Sequence, residues 1–255
     1  MDSPDHRWRA PTGPLVPRPD AARFERAGAI GSFLATAVSV VLVHRWNAGG
    51  WADAVVFCVA LLAILGAHEL GHHVVGRRHG LRLSLPVFLP APFFVGTLGA
   101  LIQVRDRPRS RTALLEMGAA GPLAGFAVIT VLVALHLAFG APDATGEPLA
   151  RPLVWQAIGW ATTGGAPPLS TADPVGYAAW VGCLVTAMNL LPIGTLDGGH
   201  VLAAVDPRRS RWVGWIATGG LVALGIAWPP WWAWAAATRI LAWRAPAAPV
   251  GVPHP

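Results

Sequence analysis

Six stretches of this chain are apolar for most of their length, and the polar residues gather largely between them. The stretches are Ala27–His44, Ala52–Gly76, Thr112–Phe139, Pro174–Leu196, Arg211–Trp228 and Trp231–Arg244. The first five approach or exceed the ~20 residues that a membrane-spanning helix needs. The sixth is shorter and carries Arg239, which suits a snorkelling span or an interfacial helix. Between the second and third stretches, Leu81–Val104 does not read as helix, because Pro86, Pro90 and Pro92 interrupt it. Leu83-Ser84-Leu85 and Leu101-Ile102-Gln103-Val104 predict short strands there. Bare strand edges cannot face lipid, so the segment is expected to be a re-entrant β-hairpin buried in protein or lining a wet cavity. An apolar patch, Leu153–Ala161, predicts a short interfacial helix in the loop Gly140–Asp173. The predicted fold is an all-α polytopic membrane protein of about six transmembrane helices, with a short re-entrant β-hairpin between the second and third.

Composition agrees with that class. The chain is 54% hydrophobic and 13% charged, against about 25% charged in soluble domains. Its net charge of +6 rests on 19 arginines and no lysine. The arginines group beside the apolar stretches, so they orient the chain in a membrane and are not read as a nucleic-acid surface. With a cytoplasmic N-terminus and six crossings, five arginines precede the first stretch, seven lie between the second and third, three follow the fourth and two close the sixth. Only Arg45 and Arg151 fall outside. Residues 1–26 hold five prolines and five arginines without an apolar core, and are expected to form a disordered basic cytoplasmic tail, not a signal peptide. Residues 27–244 form the transmembrane domain and 245–255 a Pro-rich C-terminal tail. Cys58 and Cys183 lie in apolar stretches and read as small buried hydrophobes. The arginine-for-lysine bias is that of a GC-rich bacterial genome, so the expected location is a bacterial cytoplasmic (inner) membrane.

Chemistry enters at His68-Glu69-Leu70-Gly71-His72, near the end of the second apolar stretch. Residues i and i+4 share a helix face, so both imidazoles can meet one Zn²⁺, and Glu69 beside them can act on a water polarised there. A hydrolytic zinc site takes three protein ligands. The acidic residues at membrane depth are Glu69, Glu116 and Asp197, and a charge there costs at least ~2.5–3.5 kcal/mol. Glu116 is accounted for by an ion pair with Arg111 near the start of its helix. Asp197 follows a helix broken by Pro192 and glycines, and the arginine-based topology puts it at the same cytoplasmic depth as His68, so it is the third ligand expected. Asn189 is either a second hydrogen-bond donor to the oxyanion or a helix–helix contact. Gly121 and Gly125 read as close helix packing. His73 points about 100° away from His72 and reads as a neighbour of the site, and His136 as a packed core residue. His200 is placed to orient Asp197.

These motifs resemble the site-2 protease family of intramembrane zinc metalloproteases (peptidase M50). Gly96-Thr97-Leu98-Gly99-Ala100, Gly121-Pro122-Leu123-Ala124-Gly125 and the segment from Asn189 to Gly198 carry the likeness together with the His-Glu-x-x-His motif. Arg78–Pro86 and Asn189–His200 are similar to the plastid EGY-type subgroup and its prokaryotic relatives, here without the PDZ domain of other members. The resemblance implies one zinc ion per chain held by His68, His72 and Asp197, with Glu69 catalytic. It further implies cleavage of transmembrane proteins, such as anti-sigma factors or membrane-bound regulators. In that reading residues 27–244 are a metalloprotease domain whose partners are lipid and a transmembrane substrate. A zinc transporter and a non-catalytic binder of membrane segments are the alternatives.

Overall fold

A computed structural model of the chain describes residues 19–244 except 49, 107 and 109. The expected tails at 1–18 and 245–255 therefore lie outside the described residues. Eight helices and two strands follow in order: α1 Pro19–Ala48, α2 Trp51–Arg78, β1 Val87–Pro90, β2 Thr97–Leu101, α3 Arg111–Phe139, α4 Leu153–Thr163, α5 Pro174–Asn189, α6 Asp197–Val205, α7 Pro207–Ala227 and α8 Pro230–Arg244.

Three of these helices are long and apolar enough to cross a membrane, over Arg23–Asn47, Trp51–Arg78 and Arg111–Phe139. The expectation of six is thus met only in part. The fourth stretch divides, because Pro192 supplies no amide proton and Gly194 takes a positive φ of 50°. Helix α5 ends after 16 residues, and α6 restarts at Asp197 for nine more. Helix α7 opens on Arg208, Arg209 and Arg211, and α8 has only 15 residues. At the other end of the chain, α1 begins at Pro19, so residues 19–26 are helical where a disordered tail was expected. The predicted helix in the loop after α3 is present as α4, whose Trp155 is buried and donates from Nε1 to the Pro167 carbonyl at 3.0 Å.

Caps explain most boundaries. Ser110 Oγ accepts from Ala113 N at 3.1 Å to start α3. Asp173 Oδ1 accepts from Gly176 N at 2.9 Å to start α5, and Asp206 caps α7 through Arg208 N and Arg209 N. Asp173 is 1% exposed, and its other oxygen lies 2.7 Å from His136 Nε2. That pair ties the end of α3 to the start of α5, so the packing role expected of His136 is satisfied by a carboxylate.

The hairpin lies between α2 and α3 as expected, but its strands are displaced toward the tip. β1 and β2 pair antiparallel, with Val87 opposite Leu101 and Phe88 opposite Ala100. The predicted pairing survives only as a bridge between Leu83 and Val104 at the open end. Pro86 separates that bridge from the ladder, which is why the two do not form one long strand. Phe88 and Val95 enter the core with Val40, Phe57, Leu61 and Leu65, so the hairpin is packed between α1 and α2. A second cluster, Ile64, Ile129, Val133, Trp155 and Leu169, joins α2, α3 and α4.

Gly96 takes φ 91°, and a Cβ on it would overlap the Cα of Val40. Gly96→Ala is expected to lower the thermal unfolding midpoint in detergent, at a cost of about 1–3 kcal/mol or more. Gly80→Ala carries a similar positive φ of 71° with open space around it, and should cost less in the same melt.

Candidate metal centre

The centre is assembled by α2, α3 and the start of α6. Helix α2 is apolar on nearly all sides and buries His68 and Glu69 at 5% and 8% exposure. The four-residue spacing stacks His68 and His72 along one face, with their Nε2 atoms 3.2 Å apart. Asp197 presents one oxygen to each ring. Oδ2 is 3.1 Å from His68 Nε2, and Oδ1 is 3.3 Å from His72 Nε2. The two distant stretches of sequence therefore meet side by side.

Local sequence brings Asp197 there. Gly198 and Gly199 lie so close to the 190–194 turn that a Cβ on either would press on the carbonyls of Leu190 and Gly194. The turn folds flat against the first turn of α6, and Asp197 is the first residue of that helix. A carboxylate at a helix N-terminus is favoured by the helix dipole.

Helix α3 forms the back wall. A Cβ on Gly121 would collide with the His72 ring, and one on Gly125 would stand 3.3 Å from the His68 Cβ. A Cβ on Gly118 would stand 3.0 Å from the Asp197 carbonyl oxygen. Glycines at 118, 121 and 125 lie on one face at helical spacing, so His68, His72 and Asp197 all pack closely on α3 backbone. The expectation of ordinary helix packing for Gly121 and Gly125 is thus sharpened, since what they admit is the imidazole pair. The carbonyl of Met117, which the sequence does not single out, accepts from His72 Nδ1 at 2.8 Å. This bond fixes the ring and leaves Nε2 with its lone pair.

The donor set fits Zn²⁺. Ligand bonds of about 2.0–2.1 Å in a tetrahedron place ligand atoms about 3.3–3.4 Å apart, close to the 3.1–3.3 Å found here. Asp197 Oδ2 is buried and has no hydrogen-bond donor aimed at it. Acceptors this crowded repel one another unless a cation lies among them. Among the described residues, His68, His72 and Asp197 form the group able to hold a metal ion.

Other candidates are placed differently. Glu69 is buried beside the two histidines on α2. Asn189 is half-buried as the last residue of α5, and no hydrogen bond among the described residues joins its side chain to the three ligands. Glu116 is paired with His79 Nε2 at 2.7 Å, not with Arg111. A five-residue offset puts Arg111 about 140° around the helix from Glu116, out of reach. His73 Nδ1 is buried without a partner. His200 lies on α6 one turn after Asp197, packed on the Gly118 face of α3.

Residues 56–214 match the family described as peptidase family M50. The chain is 32% identical over 168 residues to a rice (Oryza sativa subsp. indica) chloroplastic protein named probable zinc metalloprotease EGY2, covering 62% of this chain and 30% of that one. An Arabidopsis thaliana protein of the same name is 30% identical over 158 residues, 58% of this chain and 28% of its own. The Arabidopsis protein named probable zinc metalloprotease EGY1 is 33% identical over 153 residues, 56% and 28% respectively. The chain thus spans less than a third of the length of these curated relatives. No solved structure matches it.

Gly121→Ala should weaken zinc retention by at least about tenfold, through displacement of the His72 ring. Zinc per chain after dialysis against a competing chelator measures this. Gly219→Ala, on α7 with nothing within 4 Å of the new methyl, should retain zinc as the wild-type chain does.

Proposed function

The chain belongs to peptidase family M50, and on that premise we propose that it is a zinc-dependent endopeptidase cleaving peptide bonds in or near transmembrane segments of other membrane proteins. The observation that carries the reading is the meeting of His68, His72 and Asp197 within 3.3 Å, with buried Glu69 beside them on α2. These three side chains are the proposed zinc ligands. Zn²⁺ held there would supply Lewis acidity, lowering the pKa of a water toward ~7 and polarising the scissile carbonyl.

Glu69 takes the proton from the attacking water and delivers it to the departing amine, acting as base and then as acid. Its burial keeps bulk water from competing for that proton. Asn189, at the end of α5, is the proposed second donor to the oxyanion. The Met117 carbonyl holds the His72 ring in one tautomer throughout. A helical substrate shields its peptide groups, so the segment to be cut must be extended before attack. An extended segment can pair with the exposed edge of β2, because strand addition satisfies its backbone where lipid cannot.

The arginine distribution supports a cytoplasmic N-terminus and six crossings, with α5, α7 and α8 completing the set begun by the three long helices. On this topology the metal centre lies toward the cytoplasmic side, and a bacterial cytoplasmic membrane is the proposed location. Single-span regulators, including anti-sigma factors, are the proposed substrate class.

Glu69→Gln tests the reading. The variant should keep one zinc per chain and cut a co-expressed single-span reporter at least about a hundredfold more slowly. Undiminished cleavage would remove Glu69 as the base, while loss of zinc together with cleavage would make it structural. A transporter would retain zinc flux into vesicles in this variant and never cut the reporter.

A further inference from the structure

Three side chains of α1 make hydrogen bonds to the outer edge of β1 and to the residues on either side of it. Glu25 Oε1 accepts from Leu85 N at 2.9 Å, and its Oε2 lies 2.6 Å from Arg105 Nη2 on the other arm of the hairpin. Ser32 Oγ accepts from Phe88 N at 3.2 Å and donates to Ala29 O on its own helix at 2.9 Å. Ser39 Oγ donates to Ala91 O at 3.0 Å. The helix residues recur every seven positions and the hairpin residues every three. Seven helix residues rise about 10.5 Å, and three extended residues advance about 10 Å. The two repeats therefore stay in step along a helix and a strand running parallel.

We propose that Glu25, Ser32 and Ser39 form a polar seam by which α1 replaces a third strand, fixing the register of the hairpin and closing its β1 edge, so that the β2 edge proposed above is presented in one position. This rests on the proteolytic reading above and adds to it the positioning residues that set where the substrate is cut. The strand pattern carries the second half. Since Phe88 N–H points to Ser32, the pair Phe88–Ala100 is of the non-hydrogen-bonded kind, and the N–H and C=O of Ala100 face away from β1. Among the described residues no hydrogen bond outside the hairpin uses them. On the β1 side, by contrast, the corresponding groups are taken by serine hydroxyls and a carboxylate, so a substrate pairing there would have to displace them. Packing reinforces the seam: Phe33 meets Phe88 edge to face at 5.3 Å, and Gly96 rests on the Val40 backbone.

The test uses the full chain in membranes with a single-span reporter bearing single cysteines through its scissile segment. In the zinc-retaining Glu69→Gln background, oxidative cross-links to Ala100→Cys should recur at alternate reporter positions, and those to Val87→Cys should be absent. Adding Ser32→Ala and Ser39→Ala should scatter the alternation without loss of zinc. In the active chain the same pair should slow cleavage at least about tenfold and spread it over neighbouring bonds, as mass spectrometry of the products would read. Threonine at both positions, which keeps the hydroxyls, should restore the single cut. Wild-type rate at an unchanged bond in the double alanine variant would overturn the seam, as would cross-links to Val87→Cys as strong as those to Ala100→Cys. The cross-link pattern needs no cleavage, so an uncut reporter with wild-type chain would refute proteolysis and leave the seam to be judged separately.

Discussion

Two imidazoles and a carboxylate held within 3.3 Å of one another, inside a bundle of apolar helices, impose the requirement that the rest of the structure meets. Each group would prefer water, and each carries lone pairs that repel the others. Such a cluster persists only where backbone can approach closely enough to fix the rings and where a cation offsets the repulsion. Helix α3 provides the approach through Gly118, Gly121 and Gly125, since a Cβ at Gly121 would occupy the space of the His72 ring and one at Gly118 or Gly125 would crowd the Asp197 carbonyl or the His68 Cβ. The break between α5 and α6 provides the carboxylate. A continuous helix through 190–196 would carry Asp197 further along the axis of α5, whereas the turn at Pro192 and Gly194 folds it back against α3.

The same environment governs the non-helical backbone. Away from water, every N–H and C=O must find a partner within the protein. The 190–196 turn does so partly within itself, with Ile193 N on Leu191 O at 2.8 Å and Leu196 N on Ile193 O at 3.0 Å, and partly through α5, with Leu190 N on Thr186 O at 3.0 Å. The hairpin cannot, because a two-stranded ladder leaves half of its groups facing outward. Helix α1 takes up one edge with hydroxyls and a carboxylate. Ser32 and Ser39 sit in the apolar part of that helix, and without the strand beside them they would have little to bond but their own helix.

Much of the candidate site was legible in the residues, and the reason is that its constraints are local or additive. The spacing of His68 and His72 is a property of one helix, and the count of arginines on either side of the apolar stretches put Asp197 level with His68, from whose ring its carboxylate stands 3.1 Å. Existence of the hairpin followed from three prolines in an unhelical segment. What escaped depends on through-space partners. Glu116 was matched to Arg111 because they are neighbours in sequence, yet His79 arrives from the end of α2 and lies closer. Asp173 looked like a loop residue, although it is buried between His136 and the first turn of α5. The strand register escaped because the first strand was placed at 83–85, before Pro86, while the ladder forms beyond it. Helix α1 was begun too late for a related reason. Glu25 was one charge among many in a basic segment, and only its contacts with Leu85 and Arg105 show why the helix extends to include it.

On the proteolytic reading proposed above, the molecule separates two tasks. The proposed ligands stand on α2 and α6 against α3, where a Cβ at Gly121 would meet the His72 ring. The hairpin is fastened instead to α1 by side-chain hydrogen bonds at sites separated by about 10 Å. Such bonds contribute on the order of 1 kcal/mol each, enough in combination to define a register yet weak enough individually to be exchanged. On that reading a rigid centre would fix where a bond is broken, and a strand held in register would fix which bond is brought there. Helix α2 joins the two parts. It packs Leu61 and Leu65 against Phe88 and Val95 of the hairpin, one turn before it presents His68 and Glu69 to the centre. On that reading a shift of the hairpin relative to α2 would move a paired substrate relative to His68, His72 and Asp197 by the same distance, which would make the proposed α1 seam part of the geometry of cleavage even though none of its residues touches those three.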